Sequence, residues 1–117
     1  MVAALAMTDF RNSDSWNQAR FAVCTILDLT ESWSRIFEYR SLAKNIERLS
    51  IAVLDNIAKG YEEPGDGRFL ARAAHTIDRL EQELNRVQRK GALRVTDYIQ
   101  LKGDLDSVKA SLQNLES

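Results

Sequence analysis

One proline, one cysteine and one histidine occur in this chain of 117 residues, with only five glycines. Each scarcity excludes something. A lone Cys24 forms no intrachain disulfide, and with His75 the only histidine there is no Cys/His set for a metal ion. No Glu-x-x-His pair recurs, so the ligand set of a di-iron helical bundle is missing too. Lys and Arg number 16 against 17 Asp and Glu, a net charge of −1, so no global field draws the chain to nucleic acid or anionic lipid. No apolar run approaches the ~20 residues of a membrane span. The apolar opening MVAALAM is short, lacks a basic start and runs straight into TDFRNSDS. It reads as a frayed or mis-started end, with Met7 the alternative first residue to Met1, rather than as a signal peptide. The expected compartment is the reducing cytoplasm, with no membrane association.

What is present is an ordinary globular composition, 44% hydrophobic and 28% charged. The length suits one domain burying roughly two-thirds of its unfolded surface. Four apolar series step by three and four. They are Trp16, Ala19, Val23, Ile26, Thr30, Trp33; then Leu42, Ile46, Leu49, Val53, Asn56, Gly60; then Leu70, Ala73, Ile77, Leu80, Leu84, Val87; then Tyr98, Leu101, Leu105, Val108, Leu112, Leu115. That spacing keeps each series on one helical stripe, and no segment alternates with period two. The chain is therefore expected to be all-α, an antiparallel up-down-up-down four-helix bundle over 14–117, after a flexible segment 1–13. The helices are expected at about 14–33, 35–60, 67–91 and 96–116. Ser15 with Gln18 offers a capping box for the first helix. Ser34 or Ser41 suits the start of the second, Asp66 the third and Thr96 the fourth, while Gly60 and Gly91 suit helix ends.

The stretch GYEEPGDG, Gly60 to Gly67, has the glycines of a phosphate cradle but not its context. A helix precedes it instead of a strand, and Glu62, Glu63 and Asp66 would repel an anion. It reads as a turn in which Gly60 ends one helix, Pro64 enforces the break and Asp66 starts the next.

Three features lie outside the four stripes or interrupt them. Ile51, Leu54, Ala58 and Tyr61 form a second apolar line on the second helix, roughly 140° from the first at about 100° per residue. With Phe21 on the first helix, they form the expected oligomer interface. Asn56 occupies a stripe position where leucine would be expected, and reads as a buried residue that sets register through a hydrogen bond. On the third helix Arg68, Arg72, His75, Arg79, Arg86 and Lys90 form a basic row within roughly 60° of one another. From Arg68 to Arg94 there are seven basic residues and three acidic ones. Such a row suits a phosphate backbone or an acidic protein surface, or it is a solvated face with scattered ion pairs. No aromatic residue interleaves with it on the helical wheel, so base stacking is not expected. No catalytic residues, metal ligands, cofactor or small-molecule substrate can be read from the chain, and an enzyme is not expected.

The order Arg48, Asn56-Ile-Ala-Lys-Gly-Tyr61, Phe69-Leu-x-x-Ala73, Ile77, Leu80, Glu81, Leu84, with Trp16-Asn-Gln-Ala19 and Leu42–Ile46 before it, resembles a known pattern. It is similar to that of the four-helix-bundle proteins encoded in intervening sequences of bacterial 23S ribosomal RNA genes. A related branch is the accessory variability determinant of diversity-generating retroelements, a basic pentamer that binds a reverse transcriptase and nucleic acid. The resemblance implies a homo-oligomer, a pentamer by analogy, with a nucleic-acid enzyme or RNA or DNA as partner. The chain departs from the pattern where Ala52-Val53-Leu54-Asp55 replaces Ser-Ile-Pro-Ala and removes a proline kink. Lys59 and Arg79 stand where the family has Glu, His75-Thr76 replaces Gly-Ser, and the net charge of −1 contrasts with the basic retroelement branch.

Overall fold

The computed structural model describes residues 13–63 and 65–116, the last two by backbone alone. Four α-helices account for nearly all of them: α1 Asp14–Ser34, α2 Arg40–Glu62, α3 Arg68–Arg89 and α4 Val95–Glu116. A 3-10 turn, Phe37–Tyr39, precedes α2. Among the described residues there is no strand. The chain is an antiparallel four-helix bundle in which α1 and α3 each pack on both α2 and α4. The expected segment 1–13 lies outside the described residues except for Ser13, as do Met1, Met7, Pro64 and the side chain of Leu115.

Three of the expected stripes become the core almost unchanged. Ala19, Val23, Ile26 and Trp33 of α1, Ala73, Ile77, Leu80, Leu84 and Val87 of α3, and Leu101, Leu105, Val108 and Leu112 of α4 are buried. Thr30 is buried as well, its hydroxyl donating to the Leu27 carbonyl at 2.8 Å, so the one polar member is satisfied within its own helix.

Helix α2 departs from expectation. Its inward residues are Ala43, Ile46, Leu49, Ser50, Val53, Ile57 and Gly60. Ile57 fills the place expected of Asn56, which is half-buried and donates its amide to the Ala52 carbonyl one turn back, at 2.9 Å. Asn56 thus bonds within its own helix and sets no register across the bundle. Taking Ile57 inward rotates the buried face of α2 by roughly 40° towards the second apolar line.

The helix ends also differ in detail. Ser13, and not Ser15, caps α1, accepting from the Trp16 N–H at 3.2 Å; Ser15 itself is buried. Neither Ser34 nor Ser41 caps α2: Ser34 closes α1, Ser41 lies inside α2, and Tyr39 precedes the helix with no side-chain cap. Gly60 does not end α2, which runs on to Glu62. Its role is close approach: a Cβ there would lie 2.5 Å from Cδ2 and 2.7 Å from Cγ of Leu70 on α3. Asp66 does serve the start of α3, its carboxylate accepting from the Arg68 N–H at 3.1 Å, although Gly67 holds the cap position. Helix α4 starts at Val95, one residue ahead of Thr96.

Gly91 ends α3 as expected. With φ of 89° it takes the left-handed conformation that residues with a Cβ avoid. The Gly91 and Ala92 amides bond back to the Gln88 and Val87 carbonyls, at 3.0 and 3.1 Å, in a Schellman arrangement. Two side chains from the α1–α2 corner clamp this turn. Trp33 Nε1 donates to the Ala92 carbonyl at 3.2 Å, and the Tyr39 hydroxyl to the Lys90 carbonyl at 3.0 Å.

Candidate functional site

The second line of α2 does not stand apart from the core. Leu54 and Tyr61 are half-buried and pack against it, and the Tyr61 hydroxyl donates to Ser13 Oγ, the cap of α1, at 3.1 Å. Ala58 is half-buried. The rotation of α2 that brings Ile57 inward carries Leu54 and Tyr61 towards α1, so the monomer covers most of this line itself. Ile51 and Phe21 remain out, at 51% and 69% exposed.

The row on α3 faces solvent along its length: Arg68, Arg72, His75, Arg79, Arg86 and Lys90 are all exposed. Two members are neutralised locally. Arg68 grips Asp66 through Nε and Nη2 at 2.8–3.0 Å, and this hydrogen bonding holds the Asp66 carboxyl below its usual range. Arg86 reaches Glu83 at 3.2 Å. Arg72, His75, Arg79 and Lys90 have no carboxylate within ion-pair distance among the described residues. The expectation of a row without aromatic company is corrected by Phe69: Arg68 and Arg72 lie over its ring, 5.8 and 5.5 Å from the centroid. The sequence wheel sets Phe69 off the row, but long Arg side chains fold across that interval. Near the Lys90 end, Glu38, Ser41, Leu42 and Asn45 face Glu83, Arg86 and Lys90 across a shallow groove.

Cys24 is exposed and free, and among the described residues no three His, Cys, Asp or Glu side chains are grouped to hold a metal ion. No described helix is long and apolar enough to cross a membrane.

Sequence reasoning missed a charged cluster between α3 and α4. Lys109 of α4 bonds Asp78 of α3 at 2.6 Å and lies 3.5 Å from Asp106 and 3.9 Å from Glu81. Lys102 bonds Asp106 at 2.9 Å. Glu81 is only 8% exposed. Burial pushes its carboxyl up to about 7, and the adjoining Asp106 carboxyl adds to the rise. The adjoining Glu81 carboxyl and the hydrogen bond from Lys102 hold Asp106 down, to about 2. The available signal was position: Glu81 lies next to Leu80 on the core edge, so its carboxylate turns towards the neighbouring helix.

Comparison with family models, with curated proteins and with solved structures finds no match for this chain.

Proposed function

We propose that this chain is a non-enzymatic binding or scaffold module whose recognition element is the α3 row, and that its partner is a protein with an acidic face. The observation that carries this reading is the set of unpaired exposed cations. Arg72 and Arg79 are seven residues apart, about 10 Å along the helix, and Lys90 follows beyond Arg86. A solvated face with scattered ion pairs would neutralise most of its charges locally; here two of the five Arg and Lys members are so neutralised. The chain as a whole is near neutral, which favours a local docking patch over a global attraction to polyanions. The reducing cytoplasm is the compartment this reading assigns, in keeping with a lone exposed thiol at Cys24. By resemblance the module is a homo-oligomer, a pentamer, with a nucleic-acid enzyme the partner of first choice.

One observation favours a second reading, a nucleic-acid-binding accessory protein. Phe69, half-buried at the edge of the row with Arg68 and Arg72 over its ring, supplies an aromatic surface beside it. One experiment separates the two. The wild-type chain and an Arg72→Gln, Arg79→Gln, Arg86→Gln variant are tested for retention of duplex and single-stranded DNA and RNA at ~50 mM salt, the condition most generous to phosphate contacts. The protein-partner reading expects no retention by either form. Tight binding by the wild type, abolished in the variant and weakening with salt by about −0.9 per duplex phosphate contact on a log–log scale, establishes the nucleic-acid reading instead.

A further inference from the structure

The α3–α4 cluster contains two buried carboxyl oxygens without a hydrogen bond. Glu81 Oε2 and Asp106 Oδ1 are both buried from solvent and without a hydrogen-bond partner. They belong to adjoining carboxyl groups, and two carboxylates offer only acceptors to each other. Two ionised groups would therefore leave Glu81 Oε2 orphaned in a buried side chain, beside a like-charged Asp106 Oδ1 that has only the Lys109 ammonium at 3.5 Å. A single proton resolves both faults at once, since a protonated carboxyl is a donor.

We propose that Glu81 and Asp106 share one proton across the α3–α4 contact, Glu81 as donor and Asp106 as acceptor, and that release of this proton weakens the seating of α4 on α3. The groups acting on Glu81 come from α4: burial and then Asp106 favour its protonated form, Lys109 and Lys102 oppose it, and no group of α1 or α2 is among its leading influences. On α3 itself Asp78 is the nearest carboxylate of the cluster, and it takes the 2.6 Å bond from Lys109, which stands at only 3.9 Å from Glu81. Lys102 is engaged with Asp106. The two lysines are thus committed to Asp78 and Asp106, and an ionised Glu81 would add a third carboxylate to a cluster with two ammonium groups. Asp106 is the partner that stays charged, because Lys102 donates to its Oδ2 at 2.9 Å and the Lys109 ammonium stands 3.5 Å from its Oδ1.

The consequence is a proton-dependent stability near neutral pH. Glu81 has its folded-state value raised to about 7 from an ordinary 4.5. Between those values the folded chain holds a proton that the unfolded chain has lost, so stability falls as pH rises and levels off above the upper one. Asp106 acts in the opposite sense and lower down: its contribution is present above its ordinary 3.8 and is lost as pH falls through about 2.

The test uses the full chain. Carbon-13 titration of the carboxyl carbons is expected to show one glutamate, assigned to Glu81 by its absence from Glu81→Gln, with a midpoint near 7. Denaturant unfolding of the wild type is expected to lose up to about tenfold in folding equilibrium constant per pH unit between about pH 5 and about pH 7. Glu81→Gln keeps a donor towards Asp106 and is expected to flatten that decline. Asp106→Asn supplies an amide donor to Glu81 and is expected to return the Glu81 titration towards the ordinary carboxylate range. A Glu81 carboxyl that titrates in that range in the wild type overturns the proposal without recourse to any variant, and so does a Glu81→Gln chain that keeps the wild-type decline.

Discussion

The tight contact between Gly60 and Leu70 gives a sharp stability test. Gly60 on α2 faces Leu70 on α3, where an added Cβ would stand 2.5 Å from Cδ2 and 2.7 Å from Cγ. Ordinary carbon–carbon contact is about 3.5–4.0 Å, so an alanine methyl overlaps Leu70 by about 1 Å. Cδ2 alone could swing aside, but Cγ moves only with the whole side chain, and Leu70 is 91% buried, with a relative exposure of 9%. Overpacking of this kind costs about 1–3 kcal/mol. Replacing a helical glycine by alanine returns about 1 kcal/mol of propensity. The balance for Gly60→Ala is a loss of about 1 kcal/mol. Gly103 is the internal control: it lies within α4, exposed, with nothing within 4 Å of its virtual Cβ. Gly103→Ala keeps the propensity gain and is expected to stabilise by about 0.5–1 kcal/mol. Thermal melts monitored by circular dichroism should separate the two alanine variants by several degrees, at roughly 4 °C per kcal/mol for a domain of this size. Adding Leu70→Ala to Gly60→Ala should relieve the overlap, visible as a favourable coupling of about 1 kcal/mol in a double-mutant cycle. If Gly60→Ala raises the melting temperature as much as Gly103→Ala does, α2 and α3 are not in close contact there and the packing argument fails.

The inward face of α2 is tested at its two adjacent candidates. Ile57→Ala is expected to cost about 2–5 kcal/mol through the cavity it leaves, whereas Asn56→Ala, which removes only a bond to its own helix, should cost under about 1 kcal/mol by urea denaturation; reversed magnitudes would restore Asn56 to the core. For the oligomer implied by resemblance, Ile51→Asp places a charge on an exposed residue of the monomer and should leave its melting curve nearly unchanged while lowering the mass measured by light scattering. A mass that stays at the wild-type multimer value would remove Ile51 from the interface.

How far the sequence could be read depended on what competed for each position. In α4 one apolar residue occupied each step of three or four; in α1 and α3 Ala22, Leu27, Leu29 and Ala74 offered alternatives, and the expected stripes still entered the core, with Ala22 beside them. In α2, Asn56 and Ile57 continue the series from Val53 equally well, by a step of three or of four. The choice is made by the other helices, which bury Ile57 completely. The start of α1 posed a similar choice between Ser13 and Ser15. Tyr61, 48 residues away, bonds to Ser13, a long-range contact that local capping rules do not contain. The α3 row was visible because it is a property of one helix. The Glu81–Asp106 pair was not, because its members come from two helices and acquire their chemistry only when those helices pack.

The tryptophan clamp on the α3–α4 turn has an optical consequence. The chain has two tryptophans, both on α1 and 17 residues apart, so the indoles are separated by about 25 Å along the helix axis. Trp33 is sealed at one end of the bundle, 3% exposed, with its N–H committed to the Ala92 carbonyl. Trp16 sits at the opposite end, half-buried, beside the capping Ser13. One fluorophore therefore reports from a dry, hydrogen-bonded site and the other from a partly wetted one. A soluble quencher distinguishes them, so fraying at either end of the bundle registers as a separate spectral event without any label being added.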